Sequence, residues 1–135
     1  MSIEKPSKIT RPLYRQIAET LQAIKNCEKS NNIEWRDRHE ETLDTLLDHM
    51  PSGSGIDNGC KLDRDGSTRT KLVFDCAYHH MNDHGMYDGW TDHTVTVTPS
   101  FQGIDIHISG KDRNDIKDYL HETLHYALTQ EIELK

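Results

Sequence analysis

Residues 121–125 form the sequence His-Glu-Thr-Leu-His, whose residue types and spacing suit a catalytic zinc site. Side chains four apart share one face of a helix, so His121 and His125 can chelate zinc while Glu122 activates a water molecule. Glu131, six residues further on, is the candidate third ligand. Leu128 stands where zinc proteases of this pattern have a glycine. We favour a solvated helix face with polar i,i+4 pairs, and a zinc-dependent hydrolase is the alternative.

A second group of chemically active residues lies at 79–93, where histidines and aspartates surround a tyrosine and a tryptophan. Flat aromatic faces can stack on a base or anchor a protein contact, and imidazole and carboxylate groups can bind hydrogen-bond partners or a metal. The segment is predicted to be a long recognition loop between two strands. Its candidate binding residues are His79, His80, His84, Tyr87, Asp88, Trp90 and His93. The alternative is a solvated loop whose Trp90 folds back into the core.

Alternation along the predicted strands gives a third candidate, the polar face of a β-sheet. If the strands pair in chain order, this face carries Asp75, His79, Thr94, Thr96, Asp105 and His107. A surface of carboxylates and imidazoles can bind a cation or titrate near neutral pH. We favour an ordinary solvent-exposed face, since threonine is common in strands.

Helical periodicity in the first third of the chain predicts two helices that position nothing catalytic by themselves. Apolar residues recur every three to four positions over 10–28, with Thr10 as the N-cap, and again up to Pro51. Asn31 with Glu34 resembles a capping box for the second helix. The short connection predicts a helical hairpin over 10–50, preceded by a frayed segment at 1–8.

The rest of the chain, 51–135, is predicted to form an antiparallel meander and a C-terminal helix. Turn residues dominate 51–70, with at most a short strand around Cys60, and period-two alternation then indicates three further strands. From Asp112 onward the apolar residues repeat with the helical period of 3.6. One stripe of this helix carries Ile116, Leu120, Ala127 and Leu128. The order ααβββα predicts an α+β fold with a three- to four-stranded sheet, and 135 residues fit a single domain.

Charge and composition exclude several classes of function. The formal net charge is −7, with 8 basic and 14 acidic residues in 51–135, so nonspecific binding to nucleic-acid backbones is not expected. Mean hydropathy is −0.83 and no apolar run approaches the roughly 20 residues of a membrane span. Cys27, Cys60 and Cys76 are odd in number and widely spaced, so we expect no disulfide framework and a reducing compartment.

Four short motifs resemble those of a family of small uncharacterised proteins encoded by bacteriophages and prophages. These motifs are Ser-Gly-Ser-Gly-Ile-Asp at 52–57, His-His-Met at 79–81, Tyr-Asp-Gly-Trp-Thr at 87–91 and Arg-Asn-Asp-Ile-Lys-Asp-Tyr-Leu at 113–120. The resemblance spans roughly 50–130, and no catalytic residue is transferred by it. It implies a small acidic accessory protein of a phage, acting in the cytoplasm of the bacterial host.

The function expected from this resemblance is a non-enzymatic inhibitor of a host defence component. The partner would be a CRISPR effector, a restriction enzyme or a nucleotide signal, and no cofactor or membrane is expected. The acidic half of the chain suits a basic protein groove. Self-association is left open, and zinc enters only with the alternative hydrolase.

Overall fold

A central antiparallel sheet with helices on one face makes up the computed structural model, which describes residues 10–51, 56–81, 84–101, 103–110 and 114–133. This arrangement confirms the predicted α+β fold. The elements are β1 (Thr10–Pro12), α1 (Leu13–Lys29), α2 (Ile33–Leu47), β2 (Ile56–Leu62), β3 (Leu72–Met81), β4 (Tyr87–Ser100), β5 (Gly103–Ile108), α3 (Asn114–Leu128) and β6 (Glu131–Glu133). No helix within these ranges is long and apolar enough to cross a membrane.

The helical hairpin is confirmed, but both predicted N-caps are wrong. Thr10 lies in β1, and α1 starts after Pro12, whose fixed φ suits the residue before a first turn. Asn31 has a φ of 56°, and its neighbour Asn32 caps α2 by accepting a hydrogen bond from the Trp35 backbone at 3.3 Å. A connection of three residues therefore needs one left-handed residue before the cap.

A small sheet that the sequence did not predict joins β1 to β6 in antiparallel fashion. Gln16 on α1 is 5% exposed and its amide donates to the carbonyl oxygens of Arg11 at 3.0 Å and Ile132 at 2.7 Å. The buried amide thus finds partners in both strands, which fixes this ribbon against the start of α1.

The main sheet has the order β2-β3-β4-β5 and is antiparallel throughout, which confirms the predicted meander. Phe74 lies opposite Val95, and Val95 lies opposite Ile108, so these residues share the inner face that the helices cover. The core joins this face to apolar residues of all three helices, among them Leu13, Ile17, Leu43, Leu46, Ile116, Leu120, Leu124 and Leu128. Leu124 takes the place on the α3 stripe that the sequence assigned to Ala127, which is only partly buried.

The expectation that no cysteines pair is wrong. Cys60 of β2 lies directly opposite Cys76 of β3, with 4.5 Å between the Cα atoms, and the two form a disulfide. This separation is typical of a non-hydrogen-bonded antiparallel pair and lies within the range that a disulfide spans. Cys27 on α1 is a free thiol. Cysteine usage therefore no longer supports a reducing compartment.

The predicted loop at 79–93 is also wrong in its extent. β3 continues to Met81 and β4 begins at Tyr87, so most of this segment forms the two arms of a long hairpin. Its polar side chains do not prevent strand formation because the backbone ladder supplies the hydrogen bonds and one side faces solvent. Asn82 and Asp83 lie outside the described residues.

Candidate functional site

Register in the β3–β4 hairpin decides which of the candidate binding residues share a surface. His79 lies opposite Trp90, while Tyr78 lies opposite Thr91 and Cys76 opposite His93. Successive side chains of a strand point to opposite faces. The hairpin therefore separates His79 and Trp90 from His80 and His93, although the sequence treats them as one group.

His93 lies on the inner side of the hairpin and is 1% exposed. Its Nδ1 is 2.8 Å from the Ser109 carbonyl oxygen, which can only accept, so Nδ1 donates. In the neutral imidazole Nε2 then accepts from the Thr91 hydroxyl at 3.0 Å. The Thr91 oxygen in turn lies 3.0 Å from Nε2 of the half-buried His80. This network fixes β4 to the end of β5, and it gives His93 a positioning role within the protein.

Tyr78 and His80 continue the inner side toward α3. The rings of Tyr78 and His80 meet edge to face at 5.2 Å between centroids, and Tyr78 makes a similar contact with Tyr119 of α3 at 6.1 Å. Such contacts are favourable for aromatic rings. Tyr78 thus connects His80 on the hairpin with Tyr119 on the helix.

Trp90 lies on the other side of the hairpin and is 60% exposed. Its ring centroid is 6.4 Å from that of His79, its cross-strand partner. The alternative in which Trp90 fills the core is therefore wrong. An exposed tryptophan is a candidate binding anchor, because this residue type is enriched among those that dominate interface energies.

The polar residues of the main sheet share this side, which we call the outer face. Asp75 lies opposite Thr94 and Thr96 opposite His107, which confirms the predicted clustering. The outer face comprises Asp75, His79, Trp90, Asp92, Thr94, Thr96, Asp105 and His107. The three aspartates are exposed, and Lys61 of β2 lies opposite Asp75. The outer face therefore combines an aromatic anchor with an acidic surround.

The turn of the hairpin brings further candidates to the same end of the sheet. His84 is exposed, Gly85 adopts a φ of 73° that favours glycine, and Met86 is 65% exposed. Tyr87 and Asp88 are the first two residues of β4. The turn thus adds a histidine and a methionine to the exposed end of the hairpin.

The histidines of the candidate zinc motif lie on the solvent side of α3, as their position off the apolar stripe predicts. Both are exposed, and their rings stack 6.1 Å apart. Glu122, Tyr126 and Thr129 lie beside them along a shallow surface, whereas Glu131 belongs to β6. Within the described ranges, no three histidine, cysteine or acidic side chains form a group that could hold a metal ion. The zinc-dependent hydrolase stays the alternative prediction, which metal analysis of the purified protein tests.

Comparison with protein-family models, with curated proteins and with solved structures finds no match. The resemblance to phage proteins accordingly stays a prediction, and the candidate site rests on the geometry of the hairpin. Sequence reasoning missed Thr91 and Ser109, because their importance depends on the pairing of β4 with β3 and β5. The signal for Thr91 was the alternation that continues through 90–97, which favours a strand and not a loop.

Proposed function

We propose that the protein is a small acidic binding protein that acts by docking its outer face onto a basic surface of a partner protein. The observation that carries this proposal is Trp90, which is exposed over 60% of its surface and lies near the turn of the β3–β4 hairpin, paired with His79. Tryptophan is enriched among the residues that dominate interface energies. Its two-strand support means that little conformational entropy is lost when a partner covers it.

Charge on the outer face favours a basic partner. Asp75, Asp92 and Asp105 are exposed there, and the whole chain carries a formal charge of −7. Complementary charge mainly speeds encounter and excludes wrong partners, while the aromatic anchor supplies affinity. The four strands lie about 4.8 Å apart, and the central strand β3 is ten residues long, so the face measures roughly 15 by 30 Å. That area is compatible with a modest protein interface.

The finer proposal is that the partner is a bacterial defence protein and that docking inhibits it. This part is supported by the motif resemblance to phage proteins and by the acidity of the chain. A CRISPR effector or a restriction enzyme holds nucleic acid in a basic groove, and such a groove is the surface that an acidic face complements. Docking of this kind needs neither a cofactor nor a catalytic residue.

Capture from bacterial lysate by immobilised protein, followed by affinity measurement with the purified partner, tests the proposal. Trp90→Ala is expected to weaken binding by at least ~2 kcal/mol while the melting temperature changes little. Trp35→Ala is the matched control, because Trp35 is 50% exposed on α2 and packs against the Arg38 guanidinium at 4.9 Å. Equal affinity of the wild type and of Trp90→Ala for every captured protein would contradict the proposal.

A further inference from the structure

A cavity of about 220 Å³ lies between α1 and the end of the main sheet that is remote from the β3–β4 turn. Its floor is apolar and comes from Ala18, Leu72, Val97 and Pro99. Tyr14 and Arg15 of α1 form one wall, and Arg69, Thr70 and Lys71 form the other. The cavity therefore has an apolar base and a polar rim, which is the usual build of a small-molecule site.

Positive charge dominates the rim, although the chain as a whole is acidic. Arg15, Arg69 and Lys71 contribute three cations, and Glu19 is the one carboxylate among the lining residues. Glu19 is itself paired with Arg11 and lies 4.0 Å from the Arg15 guanidinium. Neither Arg69 nor Lys71 forms an ion pair with a carboxylate of the described ranges. Two cations at the rim are thus available to an anionic ligand.

The turn that carries these two cations is held in place before any ligand binds. The Thr68 amide donates to the Lys71 carbonyl at 2.7 Å, and the Lys71 amide donates back at 3.3 Å, which places Arg69 and Thr70 at the tip of a tight turn. The preceding Ser67 is fully buried, and its hydroxyl donates to the Asp63 carbonyl at 2.6 Å. The rim is therefore preorganised, which reduces the entropy lost on binding.

Two further contacts fix this turn against the helices. Lys25 of α1 donates to the Ser67 carbonyl at 2.6 Å. Arg64 donates to both carboxylate oxygens of Glu40 on α2 at 2.6 Å each. The paired hydrogen bonds lower the pKa of Glu40 and raise the pKa of Arg64, so both groups stay charged at neutral pH. These contacts fix the position of the turn relative to α1 and α2.

The position of the cavity at the start of α1 adds to its positive potential. Tyr14 and Arg15 belong to the first turn of α1, which contains no acidic residue. The N-terminus of a helix carries a partial positive charge from its aligned peptide dipoles. The cavity lies beside this turn and the next one, so its three cationic side chains supply most of its positive potential.

We propose that the cavity binds a small phosphate-bearing molecule with an apolar or planar body, of the class of nucleoside monophosphates. Arg69 and Lys71 would bind the phosphate, with Arg15 completing the cationic rim, because guanidinium groups match phosphate oxygens in two parallel hydrogen bonds. The body would lie on Leu72, Val97 and the Tyr14 ring. A volume of about 220 Å³ lies below the usual range for drug-sized ligands, which favours one nucleotide over a dinucleotide. This inference is independent of the outer face.

Isothermal titration calorimetry with AMP, adenosine and inorganic phosphate as separate probes tests the proposal on the full chain. AMP is expected to bind, inorganic phosphate to bind more weakly and to compete with it, and adenosine to bind at least about tenfold more weakly than AMP. Raising the ionic strength should weaken AMP binding, since the contacts are at a solvent-accessible rim. Binding of phosphate with an affinity equal to that of AMP would assign the site to free phosphate and overturn the role of the apolar floor. Adenosine binding as tightly as AMP would overturn the role of the cations.

Variants then locate the binding. The double variant Arg69→Ala/Lys71→Ala should reduce AMP affinity at least about tenfold, and both side chains are exposed, so the fold is retained. Arg38→Ala/Lys61→Ala is the matched control, which removes two exposed cations from α2 and β2. Absence of AMP binding to the wild type, or an equal loss in both double variants, would overturn the proposal. Capture of a partner by the outer face should be unchanged in Arg69→Ala/Lys71→Ala, which separates this test from that of the proposed function.

Discussion

The two sides of the β3–β4 hairpin are made from neighbouring residues of the same strands, yet their surroundings are opposite. Phe74 and Val95 are fully buried on the inner side, while Asp75 and Thr94, one residue away, are exposed. The histidines divide in the same way, with His93 buried and His79 beside the exposed Trp90. The difference teaches that the residue content of a segment does not identify a binding surface, because strand phase decides which side chains meet a partner.

The largest difference between the two sides should appear when one large aromatic residue is truncated on each. Phe74→Ala is expected to lower the free energy of unfolding by about 3–5 kcal/mol, because it opens a cavity in the core. Trp90→Ala should lower it by no more than about 1.5 kcal/mol, since the indole is mostly solvated. Urea unfolding of both variants measures the contrast. Similar losses in the two variants would show that the phase of the hairpin is wrong.

The two histidines offer a second comparison at smaller effect. His93→Ala should lower the free energy of unfolding by about 2–3 kcal/mol. The substitution removes a buried ring and the hydrogen bond of 2.8 Å from His93 to the Ser109 carbonyl. His79→Ala, on the outer face, should lower the free energy of unfolding by less than about 1 kcal/mol, because its ring is partly exposed. Thermal melts of the two variants under identical conditions provide the measurement. A loss confined to His79→Ala would contradict the assigned network.

The partly exposed ion pair between Glu40 and Arg64 should make a small contribution to stability, and this contribution should depend on pH. Glu40→Gln breaks the ion pair between Glu40 and Arg64, whose side chains are 29% and 41% exposed, respectively. The substitution should lower the free energy of unfolding by no more than about 1 kcal/mol at pH 7. Because the folded pKa of Glu40 is lowered, its contribution is present above the ordinary value of about 4.3 and is lost as the pH falls through the folded pKa.

Urea unfolding of wild type and Glu40→Gln at several pH values between about 7 and 2 tests this. The two stabilities should converge only on the acidic side. A difference that stays constant over the whole range would show that the carboxylate charge contributes nothing. Glu34→Gln is a suitable control, since Glu34 pairs with Arg38 at 3.2 Å but is 77% exposed.

Much of the fold could be predicted because its long elements carry strong periodicity. The α1 stripe of Leu13, Ile17 and Ile24 and the inner positions Phe74 and Val95 repeat at helical and strand spacing. The β1–β6 ribbon could not be predicted, since two strands of three residues give no periodic signal and are separated by almost the whole chain. The Cys60–Cys76 disulfide could not be predicted for a related reason. Only the strand register shows that these residues, 16 apart in the sequence, lie opposite each other.

The candidate site was predicted in composition but not in arrangement. Trp90 and His79 were identified from residue type, and the polar outer face from alternation. The extent of the strands was missed because His79, His80 and the aspartates around them suggested a solvated loop. The cationic cavity was missed because Arg15 on α1 and Arg69 in the turn are distant in sequence, and only folding brings them to one rim.

The pairing of β1 with β6 has a mechanical consequence. Thr10 lies opposite Glu133 and Pro12 opposite Glu131, so a pulling force applied through Thr10 and Glu133 would separate these strands one residue pair after another, as a zip opens. The disulfide lies in a different sheet and carries none of this force at first. Tension would therefore free the short ribbon at low force, while the helical hairpin and the main sheet stay folded.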